Sequence, residues 1–181
     1  MSCDSLNESR MTIRQAGASD TEQIWQVIAD AKQMMRDLGR NQWTEEYPSL
    51  DVIAADIEAG AAYVMCDGEG CVAAYACLTS APEAAYAAPE DCWLTDRPYL
   101  VIHRLAVRAS YRGRGLARRL LSYAEEVCRG KGLGTIKVDT NHDNTQMLHL
   151  LQTVGYVRCG TVSYGPRGER IAFEKPLDRR I

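Results

Sequence analysis

Arg104-Leu105-Ala106-Val107-Arg108-Ala109-Ser110-Tyr111-Arg112-Gly113-Arg114-Gly115-Leu116-Ala117-Arg118-Arg119 is the stretch on which the reading of this chain turns. Its first residues close an apolar run, Tyr99–Val107, with the character of a β-strand. Its last residues open an amphipathic helix over Gly115–Cys128, with Leu116, Leu120, Ala124 and Val127 on one face. Between Arg104 and Arg119 stand six arginines (104, 108, 112, 114, 118 and 119) and no acid. A helix N-terminus exposes unpaired N–H groups and the positive end of the macrodipole. Glycines at 113 and 115 let the backbone approach an anion without a Cβ in the way. Strand, glycine loop, helix and arginines together predict a cradle for a pyrophosphate. It is neither of two familiar cradles: Arg118 breaks G-x-G-x-x-G, and no Gly-Lys-Ser/Thr is present.

Outward from this stretch the chain alternates short strands with helices. Upstream, Met11–Ala16 reads as a strand. A helix capped by Ser19 or Asp20 then carries Ile24, Trp25, Val27, Ile28, Ala31, Met34, Met35 and Leu38 at helical spacing as far as Gly39. The aromatic loop Gln42–Pro48 leads to a second helix, Asp51–Ala59. Ala62–Cys66 and Cys71–Thr79 read as a hairpin about Asp67-Gly68-Glu69-Gly70. Ala81–Pro98 has three prolines and no period, and reads as a long surface loop. Downstream follow a strand, Thr135–Thr140, a helix, Asn144–Val154, and two strands, Tyr156–Ser163 and Glu169–Lys175, about Gly165-Pro166-Arg167-Gly168. The order β-α-α-β-β-β-α-β-α-β-β predicts a single α/β domain over residues 11–181, with residues 1–10 as a flexible tail.

The chain has 181 residues, 46% of them hydrophobic and 25% charged, which suits one soluble domain. No run approaches the roughly 18 apolar residues of a membrane span, and MSCDSLNESR lacks the apolar core of a signal peptide, so a cytoplasmic location is expected. The seven cysteines (3, 66, 71, 77, 92, 128 and 159) contain no C-x-x-C pair and read as reduced thiols; Asn7-Glu8-Ser9 is a glycosylation sequon without meaning in that setting. Three histidines without H-E-x-x-H spacing predict no metal site. The net charge of −3 argues against a general polyanion binder.

Arg112-Gly113-Arg114-Gly115-Leu116-Ala117 resembles the R-x-x-G-x-G/A signature of the GNAT superfamily of N-acetyltransferases. His103-Arg104-Leu105-Ala106-Val107 resembles that family's fourth strand. Asn144 and Gly155-Tyr156 match its later pattern, an Asn opening a helix that ends in Gly-Phe. The resemblance runs from Met11 to Leu177 and implies a mixed, mostly antiparallel sheet of six to seven strands flanked by four helices. It implies acetyl-CoA as cosubstrate, with the backbone of Leu105, Ala106 and Val107 pairing with the pantetheine arm as an added strand. The N–H near Leu105 would polarise the thioester carbonyl. Arg112, Gly113, Arg114, Gly115, Leu116 and Ala117 would bind the pyrophosphate, and Asn144 would contact the arm across an opening between the fourth and fifth strands.

The reaction so implied is direct attack of a neutral amine on the thioester. An alkylamine of pKa roughly 10 must first lose a proton, and the departing thiolate must gain one. Many family members use a tyrosine seven residues after the helix-opening Asn as the acid; here that position is Leu151. Tyr164 and Tyr156 are the substitutes. Two bases are expected. His103 lies two residues before Leu105 and so shares its strand face. Asp139, at the end of the fifth strand, resembles the glutamate some members use; a turn acceptor for residues 142–144 is its structural alternative. His142 and His149 read as exposed loop and helix residues. Gln42, Trp43 and Tyr47 are expected to wall the acceptor pocket, with packing on the sheet as the alternative.

Other readings are a CoA-binding regulatory protein of the same fold, favoured by Leu151, and a nucleic-acid binder using the arginines, opposed by the acidic net charge and the lack of interleaved aromatics. The expected partner is a small-molecule or peptide amine, with no nucleic acid and no membrane; a homodimer is left open.

Overall fold

The computed structural model describes residues 11–87 and 92–177. The expected tail, Cys3, the Asn7 sequon and Pro89 lie outside them. Seven strands form one sheet in the order β1-β2-β3-β4-β5-β7-β6. They are β1 (Thr12–Gln15), β2 (Ala62–Cys66), β3 (Val72–Thr79), β4 (Tyr99–Val107), β5 (Thr135–Thr140), β6 (Val157–Ser163) and β7 (Glu169–Pro176). The four α-helices are α1 (Thr21–Asp37), α2 (Leu50–Glu58), α3 (Leu116–Gly130) and α4 (Thr145–Thr153). β4 and β5 pair in parallel, whereas β1–β2, β2–β3, β5–β7 and β6–β7 pair antiparallel.

The chain divides into two compact units, one taking in Met1–Leu78 and Arg104–Tyr123, the other Thr79–His103 and Ala124–Ile181. The first has its core under α1 and α2. Ile24, Val27, Ile28, Ala31 and Met35 recur at helical spacing along α1 and pack with Ile53, Val64, Val72, Tyr75 and Ala106. Ser49 opens α2 by accepting from Val52 N (3.3 Å), and Gly39, at φ +66°, sits past the end of α1. Trp43 belongs to this core, at 8% exposure. That matches the packing alternative given for it beside the acceptor-pocket expectation.

The second unit is built on β5, β6, β7 and the first half of β4. Its core holds Tyr86, Val101, Val162 and Ala172, with Trp93, Tyr99 and Tyr164 packed against them. The expected surface loop from Ala81 to Pro98 contains a 3-10 turn, Ala84–Tyr86, and Tyr86 is buried. An aperiodic stretch gave no sign of this, since one turn of helix is too short to show a period. Glu174, fully buried on β7, accepts from Leu94 N, Thr95 N, Thr95 Oγ1 and Thr135 Oγ1, so its carboxylate is met by four donors.

Candidate active site

In the first unit β4 hands the chain to the glycine loop. The amide of Arg108 donates to Ala73 O (2.9 Å), and Ala109 N donates to Asp30 Oδ2 on α1 (2.8 Å). The Tyr111 hydroxyl donates to Asp67 Oδ2 (2.5 Å), which with partial burial pushes the phenol up to about 12 and keeps it a donor. Arg112 Nη2 donates to Asp30 O (2.8 Å). Four tethers thus fix residues 108–112. Beyond them Gly113 and Gly115 take φ +79° and +74°, and a Cβ at either would meet nothing within 4 Å. Positive φ, not crowding, demands glycine here. Among the described residues no acceptor is recorded for the N–H groups of residues 113–117. The loop therefore ends in a row of backbone donors at the N-terminus of α3, with Arg114 exposed and held over the Tyr111 ring (5.4 Å). This is an anion cradle built mainly from main chain.

The six arginines do not act as one cluster. Arg104 turns to the interior of its unit. Its Nε and Nη2 meet Asp56 Oδ2 and Oδ1 (2.8 and 2.6 Å), and Nη1 donates to the Tyr47 hydroxyl (2.9 Å). Tyr75, fully buried, donates to the same Asp56 (2.5 Å). Arg119 donates to Met11 O (3.1 Å). Arg104, first of the six arginines in the stretch expected to hold the phosphate chemistry, is instead closed in by a bidentate carboxylate and the Tyr47 hydroxyl. Tyr47, expected at an acceptor wall, is one of those partners, and Gln42 is half-buried.

Arg104 also has φ +54°, the one positive value outside glycine among the described residues. A left-handed residue interrupts the two-residue alternation of a strand. The inference that His103 shares a face with Leu105, which assumed strict alternation, loses its basis. Leu105 and Val107 are half-buried, and Ala106 enters the core of the first unit.

In the second unit β4 pairs with β5 from Tyr99↔Thr135 to Ile102↔Val138. The recorded pairing stops there, although β5 runs on to Thr140 against β7. His103 and Asp139, the two expected bases, are the next residue on each strand. His103 Nε2 lies 3.4 Å from Glu83 Oε2, both side chains about one-fifth exposed. Asp139 Oδ2 accepts from two hydroxyls, Tyr86 and Tyr164, each at 2.7 Å. Its Oδ1 has no recorded protein partner among the described residues. Asp139 does not serve the following turn, which corrects that alternative. Burial, and then the charge of Asp139, hold the Tyr86 phenol far above its ordinary range, so Tyr86 remains a donor.

Asn144 caps α4, its Oδ1 accepting from Met147 N (3.4 Å) and its Nδ2 donating to Thr140 Oγ1 (3.2 Å). Its amide is engaged in local structure at both ends. Leu151 is fully buried, His142 and His149 are exposed, and the Tyr156 hydroxyl is buried without a recorded partner. Glu83 and Tyr86 were missed by sequence reasoning, as was Asp56; each gains its meaning from a partner at least 20 residues away, across loops without periodicity. Among the described residues no group of three or more His, Cys, Asp or Glu could hold a metal ion, and no helix is long and apolar enough to cross a membrane.

Comparison with known proteins agrees with this geometry. A Bacillus subtilis (strain 168) protein named as the uncharacterized N-acetyltransferase YesJ is 28% identical over 150 residues, 81% of each chain. The solved GNAT-family acetyltransferase of Streptococcus agalactiae 2603 superposes with a TM-score of 0.82 and 34% identity, over 93% of this chain and 96% of that one. The putative acetyltransferase yncA of Salmonella typhimurium, solved with its cofactor acetyl-CoA, shares the fold at TM-score 0.67 and 19% identity, over 95% and 96% of the two chains. The model of the Acetyltransferase (GNAT) family matches residues 28–156, the span that includes the glycine loop, both candidate bases and α4, and the chain belongs to that family of N-acetyltransferases.

Proposed function

We propose that the protein transfers an acetyl group from acetyl-CoA to a primary amine by direct attack. The observation that carries this reading is the row of N–H groups over residues 113–117, shortly after β4, for which no acceptor is recorded among the described residues. A pyrophosphate fits such donors at a helix N-terminus. Arg112 and Arg114 add charge, and the half-buried Leu105–Val107 segment is the edge that would take the pantetheine arm. The left-handed Arg104 precedes Leu105, whose amide would act on the thioester oxygen. Asn144, occupied as a cap, serves by fixing the start of α4.

Proton handling falls to the second unit. An amine that arrives as an ammonium loses two protons on becoming an amide: one before attack, one after the C–N bond forms. His103, backed by Glu83, accepts the first and releases it to solvent. Asp139 accepts the second at Oδ1 and returns it to solvent, while the Tyr164 hydroxyl, held at Asp139 Oδ2, gives its proton to the thiolate as the C–S bond breaks and regains one from solvent. The products are the amide, CoA thiol and one proton in solution. Tyr164 thereby fills the office left empty by Leu151. Gln42 remains a candidate acceptor contact. A cytoplasmic location suits a reaction that draws on acetyl-CoA.

The test is a panel of amines (amino acids, peptide N-termini, lysine, polyamines, aminoglycosides) with acetyl-CoA, read as released thiol. Turnover of at least one amine is the expected result. Tight acetyl-CoA binding with no turnover across the panel would instead establish a regulatory CoA-binding protein, the reading that Leu151 favours.

A further inference from the structure

The 3-10 turn Ala84–Tyr86, with Glu83 as its first cap, touches both proton-handling groups. Glu83 Oε2 faces His103 Nε2 (3.4 Å) on β4. Three residues on, the Tyr86 hydroxyl donates to Asp139 Oδ2 (2.7 Å) on β5. His103 and Asp139 each stand one residue past the last β4–β5 pair, Ile102↔Val138. The sheet has stopped holding the two strands in register at the point where their side chains matter. A second support is supplied there by the turn.

The turn is itself fixed by groups that take no part in the chemistry. Glu83 Oε1 accepts from Ala85 N (3.2 Å). The Tyr86 ring packs on Trp93 (4.8 Å) and Tyr99 (6.2 Å), and the Trp93 indole donates to Tyr86 O (3.0 Å). Glu83 and Tyr86 are therefore aimed before any substrate arrives. A ring nitrogen facing a carboxylate carries the proton in neutral imidazole. Glu83 Oε2, 3.4 Å from Nε2, favours the proton of neutral His103 on that nitrogen.

We infer that the Glu83–Tyr86 turn is a positioning element for catalysis: Glu83 sets the tautomer and ring of His103, and Tyr86 sets the carboxylate of Asp139. This rests on the proton-handling reading above. Neither residue touches the reacting atoms; each acts through the group it holds.

The experiment is a pair of double-mutant cycles in the full chain, with an amine from the panel as acceptor. Tyr86→Phe keeps the ring packing and removes one hydroxyl. It should lower kcat about tenfold or more with acetyl-CoA affinity unchanged. In an Asp139→Asn background it should cost almost nothing further. Glu83→Ala should lower kcat similarly, Glu83→Gln less, because the amide still accepts from Nε2–H, and neither should add to His103→Ala. Nitrogen NMR of His103 should show the Nε2–H tautomer in the wild type and a mixture in Glu83→Ala. Full additivity in both cycles, or a His103 tautomer indifferent to Glu83, overturns the inference. If His103→Ala and Asp139→Asn themselves leave kcat unchanged, the proton-handling reading fails instead, and the two failures are told apart.

Discussion

The glycine loop of the first unit and the groups of the second proposed to handle protons are built on opposite plans. The loop uses main chain: five consecutive N–H groups, two glycines at positive φ, and tethers from Asp30, Asp67 and Ala73 that fix its root. The proposed proton-handling set uses side chains alone: Glu83 and Tyr86 from one turn, His103 from β4, Asp139 from β5 and Tyr164, in contacts of 2.7–3.4 Å. A main-chain site is insensitive to most side-chain changes near it and acutely sensitive to glycine replacement. A side-chain site is the reverse. Arg104 is the residue that best separates the plans, because it adjoins the loop in sequence but belongs to neither.

The largest expected effect is therefore on stability. Arg104→Ala leaves Asp56, 8% exposed, without its cation, and breaking one partner of such a pair costs about 3–5 kcal/mol. Urea unfolding should show that loss. Arg104→Ala with Asp56→Ala should recover part of it. A variant as stable as wild type would return Arg104 to the phosphate cluster and blur the contrast.

Next is the loop. Valine at 115 cannot hold φ +74° without strain, and its Cβ meets no neighbour, so the fold should survive while the cradle does not. Gly115→Val should weaken acetyl-CoA binding about a hundredfold by calorimetry, the loss of two charge-assisted hydrogen bonds, with the melting temperature little changed. Wild-type affinity would break the main-chain account. Tyr164→Phe should do the converse, lowering kcat about tenfold or more with affinity for acetyl-CoA intact. A change confined to KM for acetyl-CoA would move Tyr164 out of the acid role.

The same contrast explains what could be read from sequence. The order of elements, β4 and β5 to the residue, and the loop itself were legible, because alternation, helical spacing and R-x-x-G-x-A are local signals. His103 and Asp139 could be nominated from their strand positions. Their partners could not, since Glu83 and Tyr86 lie in an aperiodic stretch whose single turn of helix leaves no pattern. The inward turn of Arg104 was not legible for a related reason: charge clustering in sequence says nothing of a left-handed backbone that sends one member of the cluster inward.

The smallest effect concerns how the first unit is held near its start. Arg14 Nη1 and Nη2 donate to Asp20 Oδ2 and Oδ1 (2.7 and 2.9 Å), and Gly17 N adds a third bond (2.8 Å). The Arg14 hydrogen bonds hold the Asp20 carboxyl below the ordinary carboxylate range; burial opposes them and the Gly17 amide assists. A depressed folded pKa contributes stability that is present above the unfolded value, about 3.9, and is lost as pH falls through the folded one. Asp20→Asn should thus lower the melting temperature by about 2–4 °C between pH 5 and 7, and the gap to wild type should close as pH falls below about 4. A gap that persists at pH 2 would mean that Asp20 acts through shape and not charge. Neither outcome should alter acetyl-CoA affinity at pH 7, because the tethers that aim the loop come from Asp30, Asp67 and Ala73 and not from Asp20.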